Sequence, residues 1–235
     1  MKLSILGNYG PYPAPGGACS GYLLESASAR VLIECGTGVL AELQSHAALA
    51  QLDAIILSHL HYDHMSDLLP MQYALQFNPR EPICLIAPET PVNIHALLDA
   101  PAYALCGMHA VQIGDIRFSF QPVRHPVESW ALRAECNGRI FAYTGDTNEV
   151  SGLADFIHGA DLLLADAGLS EADWREGAPH LSALRASCRS GRRKAVAADA
   201  PQPEICARRA CGTGAHCVPE YRILRPWSQL RNLIP

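Results

Sequence analysis

At 235 residues and 49% hydrophobic composition, the chain can bury one sizeable core, and a single domain is expected. No apolar run approaches the roughly 20 residues that span a bilayer, and the opening Met1-Lys2-Leu3-Ser4-Ile5-Leu6-Gly7 holds too short an apolar run for a signal peptide. Nine cysteines without Cys-x-x-Cys spacing, on a net charge of −5, argue against a disulfide framework or a zinc ribbon and for reduced thiols in a cytoplasmic protein.

Lys2 to Leu6 reads as a first strand. The Gly/Pro-rich stretch from Gly7 to Gly17 is either a long connection or a loop whose backbone approaches a ligand. Cys19 to Glu25 and Arg30 to Glu34 read as two more strands, and Cys35-Gly36-Thr37-Gly38 closes the latter. Val39, Leu40, Leu43 and Ala47 follow at helical spacing, with Thr37 as the expected N-cap. The apolar run Ala54-Ile55-Ile56-Leu57 predicts a buried strand ending in Ser58-His59-Leu60-His61-Tyr62-Asp63-His64. Three imidazoles and a carboxylate crowded into six residues have little structural use, whereas imidazole is a preferred nitrogen ligand of zinc. His59 and His61, two apart on extended backbone, point the same way and can share one metal; Asp63 and His64, past the turn, would face a second. A His-rich surface loop is the bland alternative.

Leu68, Leu69, Tyr73 and Leu75 suggest a helix, Ile83 to Ala87 a short buried strand, and Pro91 the start of a helix through about Asp99. His46, His95 and His109 have no motif around them and read as structural. Ile116 to Phe120 alternates apolar and polar, a half-buried strand that leads to His125-Pro126. Trp130 to Cys136 and Arg139 to Tyr143 form a hairpin on the two-residue turn Asn137-Gly138. The hairpin ends in Thr144-Gly145-Asp146-Thr147, where Asp146 can bridge two cations or merely cap a turn into a helix near Glu149 to His158. Asp161 to Ala167 reads as a buried strand with Asp166 at its tip, placed to orient a ligand imidazole.

The His59-x-His61-x-Asp63-His64 pattern, preceded by Ser58 and followed by Met65-Ser66-Asp67-Leu68, resembles the metallo-β-lactamase fold superfamily, and within it the ribonuclease Z-like branch of phosphodiesterases. The resemblance covers residues 1 to about 183. It implies an α+β fold, a four-layer αβ/βα sandwich of two face-to-face sheets with helices outside and a dinuclear metal site at one edge. His125 matches the family's His-Pro motif and Asp146 its bridging aspartate. The implied ligand sets are His59, His61 and His125 for one Zn2+, and Asp63, His64 and Asp146 for the other, with Mn2+ as a substitute. Asp63 would also orient the attacking water, and His180 matches a proton donor to the leaving oxygen, though an exposed cap is an equal reading of that residue. The implied activity is zinc-dependent hydrolysis. A small phosphodiester, cyclic or nucleotide-like, is the expected substrate, with an ester or lactone as the alternative. Transfer-RNA-processing relatives carry a long arm between the His-Pro histidine and the bridging aspartate; here 20 residues separate His125 from Asp146 and the hairpin uses them. Residues 1–183 carry 8 Lys/Arg against 20 Asp/Glu, which also disfavours a polyanion. A small molecule is therefore the expected partner, with neither nucleic acid nor membrane, and a homodimer stays open.

Residues 184–235 reverse that balance, with 10 Lys/Arg against 3 Asp/Glu and four of the nine cysteines. Where the family pattern calls for Thr-His-Leu-x-Pro and the last ligand, the chain reads Ala198-Asp199-Ala200-Pro201-Gln202-Pro203. Written as degenerate codons with one base removed, that segment allows Leu-Thr-His-Leu-Asn-Pro. We therefore expect a hydrolase domain at 1–183 and, at 184–235, an Arg/Cys-rich tail, out of frame, in place of the final strand and helix. Two rival readings keep the tail as written: a nucleic-acid-binding extension, or a zinc knuckle of Cys206, Cys211, His216 and Cys217. In the written frame six of seven ligands remain, so a weak second metal and an impaired, metal-binding pseudo-hydrolase form the alternative of another class.

Overall fold

Strands that are apolar on both faces must be covered on both faces, and that requirement sets the layering. The computed structural model describes residues 1–77, 80–148, 150–166 and 194–198. In chain order these form β1 (Lys2–Gly7), β2 (Gly21–Glu25), β3 (Arg30–Ile33), α1 (Val39–Leu43), β4 (Ala54–Ile56), α2 (Tyr62–Met65), α3 (Leu68–Gln76), β5 (Ile83–Ile86), α4 (Val92–His95), β6 (Tyr103–Cys106), β7 (Val111–Ile113), β8 (Ile116–Val123), β9 (Ser129–Cys136), β10 (Arg139–Tyr143), α5 (Leu153–Phe156), β11 (Leu162–Asp166) and β12 (Lys194–Ala198). The first sheet runs β1-β2-β3-β4-β5-β6 and the second β12-β11-β10-β9-β8-β7. Short connections give antiparallel pairs at β2–β3 and β7–β8–β9–β10, and the 13-residue loop 8–20 joins the antiparallel pair β1–β2. Longer crossovers give parallel pairs at β3–β4–β5–β6 and β10–β11–β12.

Alternation within single strands shows the four layers. Val31 and Ile33 of β3 join Tyr22, Ile56, Phe118, Leu132, Phe141 and Tyr143 in the core between the sheets. Leu32 of β3 faces the other way, into a second core with Ile55 and Leu57 that α1 and α3 cover through Val39, Leu43, Leu68, Met71 and Leu75. On the far side, Ala131, Ala142 and Leu163 pack under Leu153 of α5 and Ile157. The architecture is the α+β sandwich expected from the resemblance.

At one edge the two sheets are joined by backbone. The Trp130 N–H donates to the Ser58 carbonyl at 3.0 Å, and His59 pairs with Ser129 as an isolated antiparallel bridge. Gly145 sits against the same point, since a Cβ there would lie 2.9 Å from the Ser58 Cβ.

Two local expectations differ from the structure. Thr37 does not cap α1: its hydroxyl meets Ser66 Oγ at 2.8 Å, and the cap position is Gly38, in the left-handed region at φ 91°. The Asp67 carboxylate, 29 residues away, accepts the Gly38 and Leu40 N–H groups at 2.9 Å each and so caps the helix from outside. Burial raises the Asp67 pKa even against those two donors. Pro91 stands just before α4, in extended conformation, and the helix is shorter than expected, giving way to a 3-10 turn at Ala96–Leu98. Among the described residues no helix is long and apolar enough to cross a membrane.

Candidate metal centre

The candidate ligands sit on loops leaving the strand ends beside this backbone joint. β4 ends at Ile56, and His59 and His61 follow on the loop before α2, whose first turn carries Asp63 and His64. That turn is docked by backbone: the Cys35 N–H donates to the His64 carbonyl at 2.7 Å, and the Asp67 N–H to the Cys35 carbonyl at 3.0 Å. From the second sheet, His125 comes from the connection between β8 and β9 and Asp146 from the loop after β10. The Asn148 N–H donates to the Arg124 carbonyl at 2.6 Å and holds these two loops together. Glu128 ties the His125 loop down at its other end. Its Oε2 accepts the Glu89 and Thr90 N–H groups and the Thr90 hydroxyl, and its Oε1 accepts the Trp130 indole N–H.

His61 Nδ1 lies 3.1 Å from His59 Nε2 and 3.1 Å from His125 Nε2. Asp146 Oδ2 is 3.8 Å from His59 Nε2 and 4.0 Å from His125 Nε2, so four donor atoms converge within 4.8 Å of one another. The other oxygen, Asp146 Oδ1, is 3.5 Å from His64 Nε2, which is in turn 3.7 Å from Asp63 Oδ2. His59 and His64 are buried; His125, Asp63 and Asp146 keep one side open. Gly10, in the β1–β2 loop, closes over Asp63, with a Cβ there 3.2 Å from Asp63 Oδ2.

This arrangement fits metal ions. Tetrahedral Zn–N bonds of about 2.0–2.1 Å place neighbouring ring nitrogens about 3.3 Å apart, close to the observed 3.1 Å. Asp146 Oδ1 is buried yet has no hydrogen-bond partner, a costly state for a carboxylate oxygen unless a cation satisfies it. Burial, helped by the neighbouring His64, His125 and His61, holds the His59 pKa well below its ordinary value and keeps the ring neutral as a ligand must be. His125 is lowered by burial too, against the opposing charge of Asp146.

Glu34 is a site residue that the sequence reading missed. It directly follows β3 in a left-handed conformation at φ 60°, and its side chain is fully buried. The carboxylate accepts the Ser58 N–H at 3.1 and 3.3 Å and lies 3.6 Å from His64 Nδ1. A carboxylate behind one ring nitrogen turns the other toward the metal pocket, here toward Asp63 and Asp146. The available signal was an acidic residue closing an apolar strand directly before Cys35-Gly36, where water cannot solvate it.

The Beta-lactamase superfamily domain model matches residues 29–199. The chain belongs to the metallo-β-lactamase superfamily. It is 28% identical to the probable metallo-hydrolase YhfI of Bacillus subtilis over 195 residues, covering 79% of this chain and 80% of that protein. The crystal structure of YhfI superposes with a TM-score of 0.77 at 27% identity, over 85% of this chain and 86% of the other. A ribonuclease Z of Mycolicibacterium paratuberculosis is 26% identical over 70% of this chain and 69% of its own length. Human tRNase Z, short form, shares the fold, with a TM-score of 0.74 at 19% identity over 87% and 94% of the two chains.

Family membership and the clustered donors agree on a divalent-metal site. Superfamily resemblance extends past residue 183, and β12 pairs with β11 in parallel from Lys194 to Ala198. Asp166 closes β11, but its side chain lies outside the described residues, as does the whole of His180.

Proposed function

We propose that this chain is a zinc-dependent hydrolase acting on a small phosphodiester, cyclic or nucleotide-like. The observation that carries the dinuclear part of this reading is Asp146, whose two oxygens face two different groups of donors, His59 and His125 on one side and His64 on the other. His59, His61, His125 and Asp146 would hold one ion, and Asp63, His64 and Asp146 the second. A pair of divalent ions in such a site lowers the pKa of bound water and offsets charge on the attacking and leaving oxygens of an in-line displacement. The chain's own contribution is positional. In this reading Glu34 fixes the His64 ring, Ser58 Oγ, 2.9 Å from His59 Nδ1, leaves Nε2 facing the pocket, and Asp63 would orient the nucleophilic water. His180 is our candidate donor to the leaving oxygen.

Two features support a small substrate. Between His125 and Asp146 the chain spends its length on β9, β10 and the tight turn at Asn137 and Gly138, both at positive φ, with no projecting arm. The acidic balance of residues 1–183 would also repel a long polyanion. The test is turnover of an activated phosphodiester with Zn2+ or Mn2+. We expect chelation to stop it and His61→Ala to abolish it; metal-independent turnover, or full activity in that variant, would overturn the mechanism. Turnover of esters or lactones with no phosphodiester activity would leave the metal site and redirect the substrate.

We also propose that residues 184–235 are out of frame, on the codon reading of 198–203; the superfamily match to residue 199 and β12 at Lys194–Ala198 stand against a break as early as 184. A fresh DNA read across codons 183 to 204 should show a missing or added base. A confirmed frame would instead favour the six-ligand, impaired protein.

A further inference from the structure

Away from the metal centre, two thiols face each other. Cys84 on β5 and Cys106 on the edge strand β6 place their sulfurs 3.5 Å apart. Cys106 is exposed and Cys84 half-buried, whereas Cys19, Cys35 and Cys136 are buried. The register pairs Cys84 with Ala104 and Ile86 with Cys106, so the two cysteines are diagonal neighbours on one face of the sheet. Cys106 Sγ also lies 3.6 Å from the Ala104 carbonyl.

Geometry decides what this pair can do. Two residues along a strand and one strand across put the two Cα atoms about 8 Å apart, from a rise of about 3.3 Å and a spacing of about 4.8 Å. A disulfide requires sulfurs at about 2.05 Å and Cα atoms within about 7 Å. Closing one would therefore drag the backbone of β6. A tetrahedral ion with thiolate bonds of about 2.3 Å holds two sulfurs about 3.8 Å apart, close to their present separation. Soft thiolates select soft ions, unlike the oxygen and imidazole donors of the catalytic pocket.

We propose that Cys84 and Cys106 form a chelating dithiol site for a soft, thiophilic ion or a trivalent metalloid. This does not rest on the proposed hydrolase activity. Burial and the neighbouring Cys106 sulfur push the Cys84 thiol up to about 11, so an incoming ligand displaces the Cys84 proton. With phenylarsine oxide the balance is direct. Two As–S bonds form, the two thiol protons leave with the arsenic-bound oxygen as one water, and nothing is oxidised.

The experiment uses the full chain with phenylarsine oxide, followed by alkylation and peptide mapping. One equivalent should protect Cys84 and Cys106 together in the wild type. In Cys84→Ser, Cys106 should need about a hundredfold more reagent for the same protection, because the second bond is no longer intramolecular. Cys106→Ser should do the same to Cys84, and circular dichroism of both variants checks that the fold persists. Alkylation of both thiols at the unprotected rate after one equivalent would overturn the site.

Discussion

Gly36 offers the sharpest test of how the first sheet holds the candidate ligands. A Cβ at this position would lie 1.8 Å from the Asp63 carbonyl oxygen, 2.6 Å from its carbonyl carbon and 2.7 Å from the Cys19 Cβ. Ordinary contact begins near 3.4 Å, so Gly36→Ala must open about 1.6 Å between two backbone segments, with no flexible side chain to absorb it. Overpacking of this kind costs about 1–3 kcal/mol, which in a domain this size lowers Tm by about 3–10 °C. The larger effect should be chemical. Asp63 would move by more than the roughly 0.5 Å that a site tolerates, and a misplacement of about 1 Å can cost about a hundredfold in rate. The assay is bound-metal content, thermal unfolding and phosphodiester turnover, run beside Gly138→Ala. Gly138 has nothing within 4 Å of its would-be Cβ and only a φ of 71° to strain, so it should lose about 1–2 kcal/mol of stability and no metal. Wild-type metal content and rate in Gly36→Ala would falsify the packing of the Asp63 turn against the Cys35-Gly36 segment that follows β3.

Two other outcomes follow from groups around the pocket. If the site is dinuclear as proposed, Glu34→Gln should weaken one ion, with His59, His61 and His125 still holding the other; two tightly held ions in that variant would remove Glu34 from the His64 side of the site. In the chelated protein, His59 and His125 have folded pKa values below the ordinary 6.5, so below that pH the unfolded chain binds more protons than the folded one. Stability should therefore fall as pH drops from about 7 to 5. A thermal midpoint flat across that window would refute the burial that keeps these rings neutral.

What the sequence made legible was local. The apolar strand Ala54–Ile56 running into three histidines, and the Asn137-Gly138 turn between alternating strands, announce themselves within a dozen residues, and both stand where expected. Groups that act across the fold were not legible. Asp67 caps a helix 29 residues away, Glu34 reaches Ser58 and His64 from another strand, and Glu128 holds a loop 38 residues distant in sequence. Each looks like an ordinary acidic residue until the chain closes on it. β6 and β7 were missed for a different reason: Tyr103–Cys106 and Val111–Ile113 are short strands at the outer edges of their sheets, with part of each exposed, so neither shows a clean period.

The backbone joint between Ser58 and Trp130 has a geometric consequence. Packed sheets stand about 10 Å apart, so ligands on facing strands of an ordinary sandwich would have to reach a shared ion through the packed core. A hydrogen bond of 3.0 Å between the sheets brings them to strand-pairing distance at that edge. Phe118 and Tyr22 fill the interior between the sheets, and the backbones meet where His59 pairs with Ser129. The candidate ligands flank this joint from both sheets, so an ion bound there would act as a rivet between the two halves, and losing it should loosen their docking before it unravels either sheet.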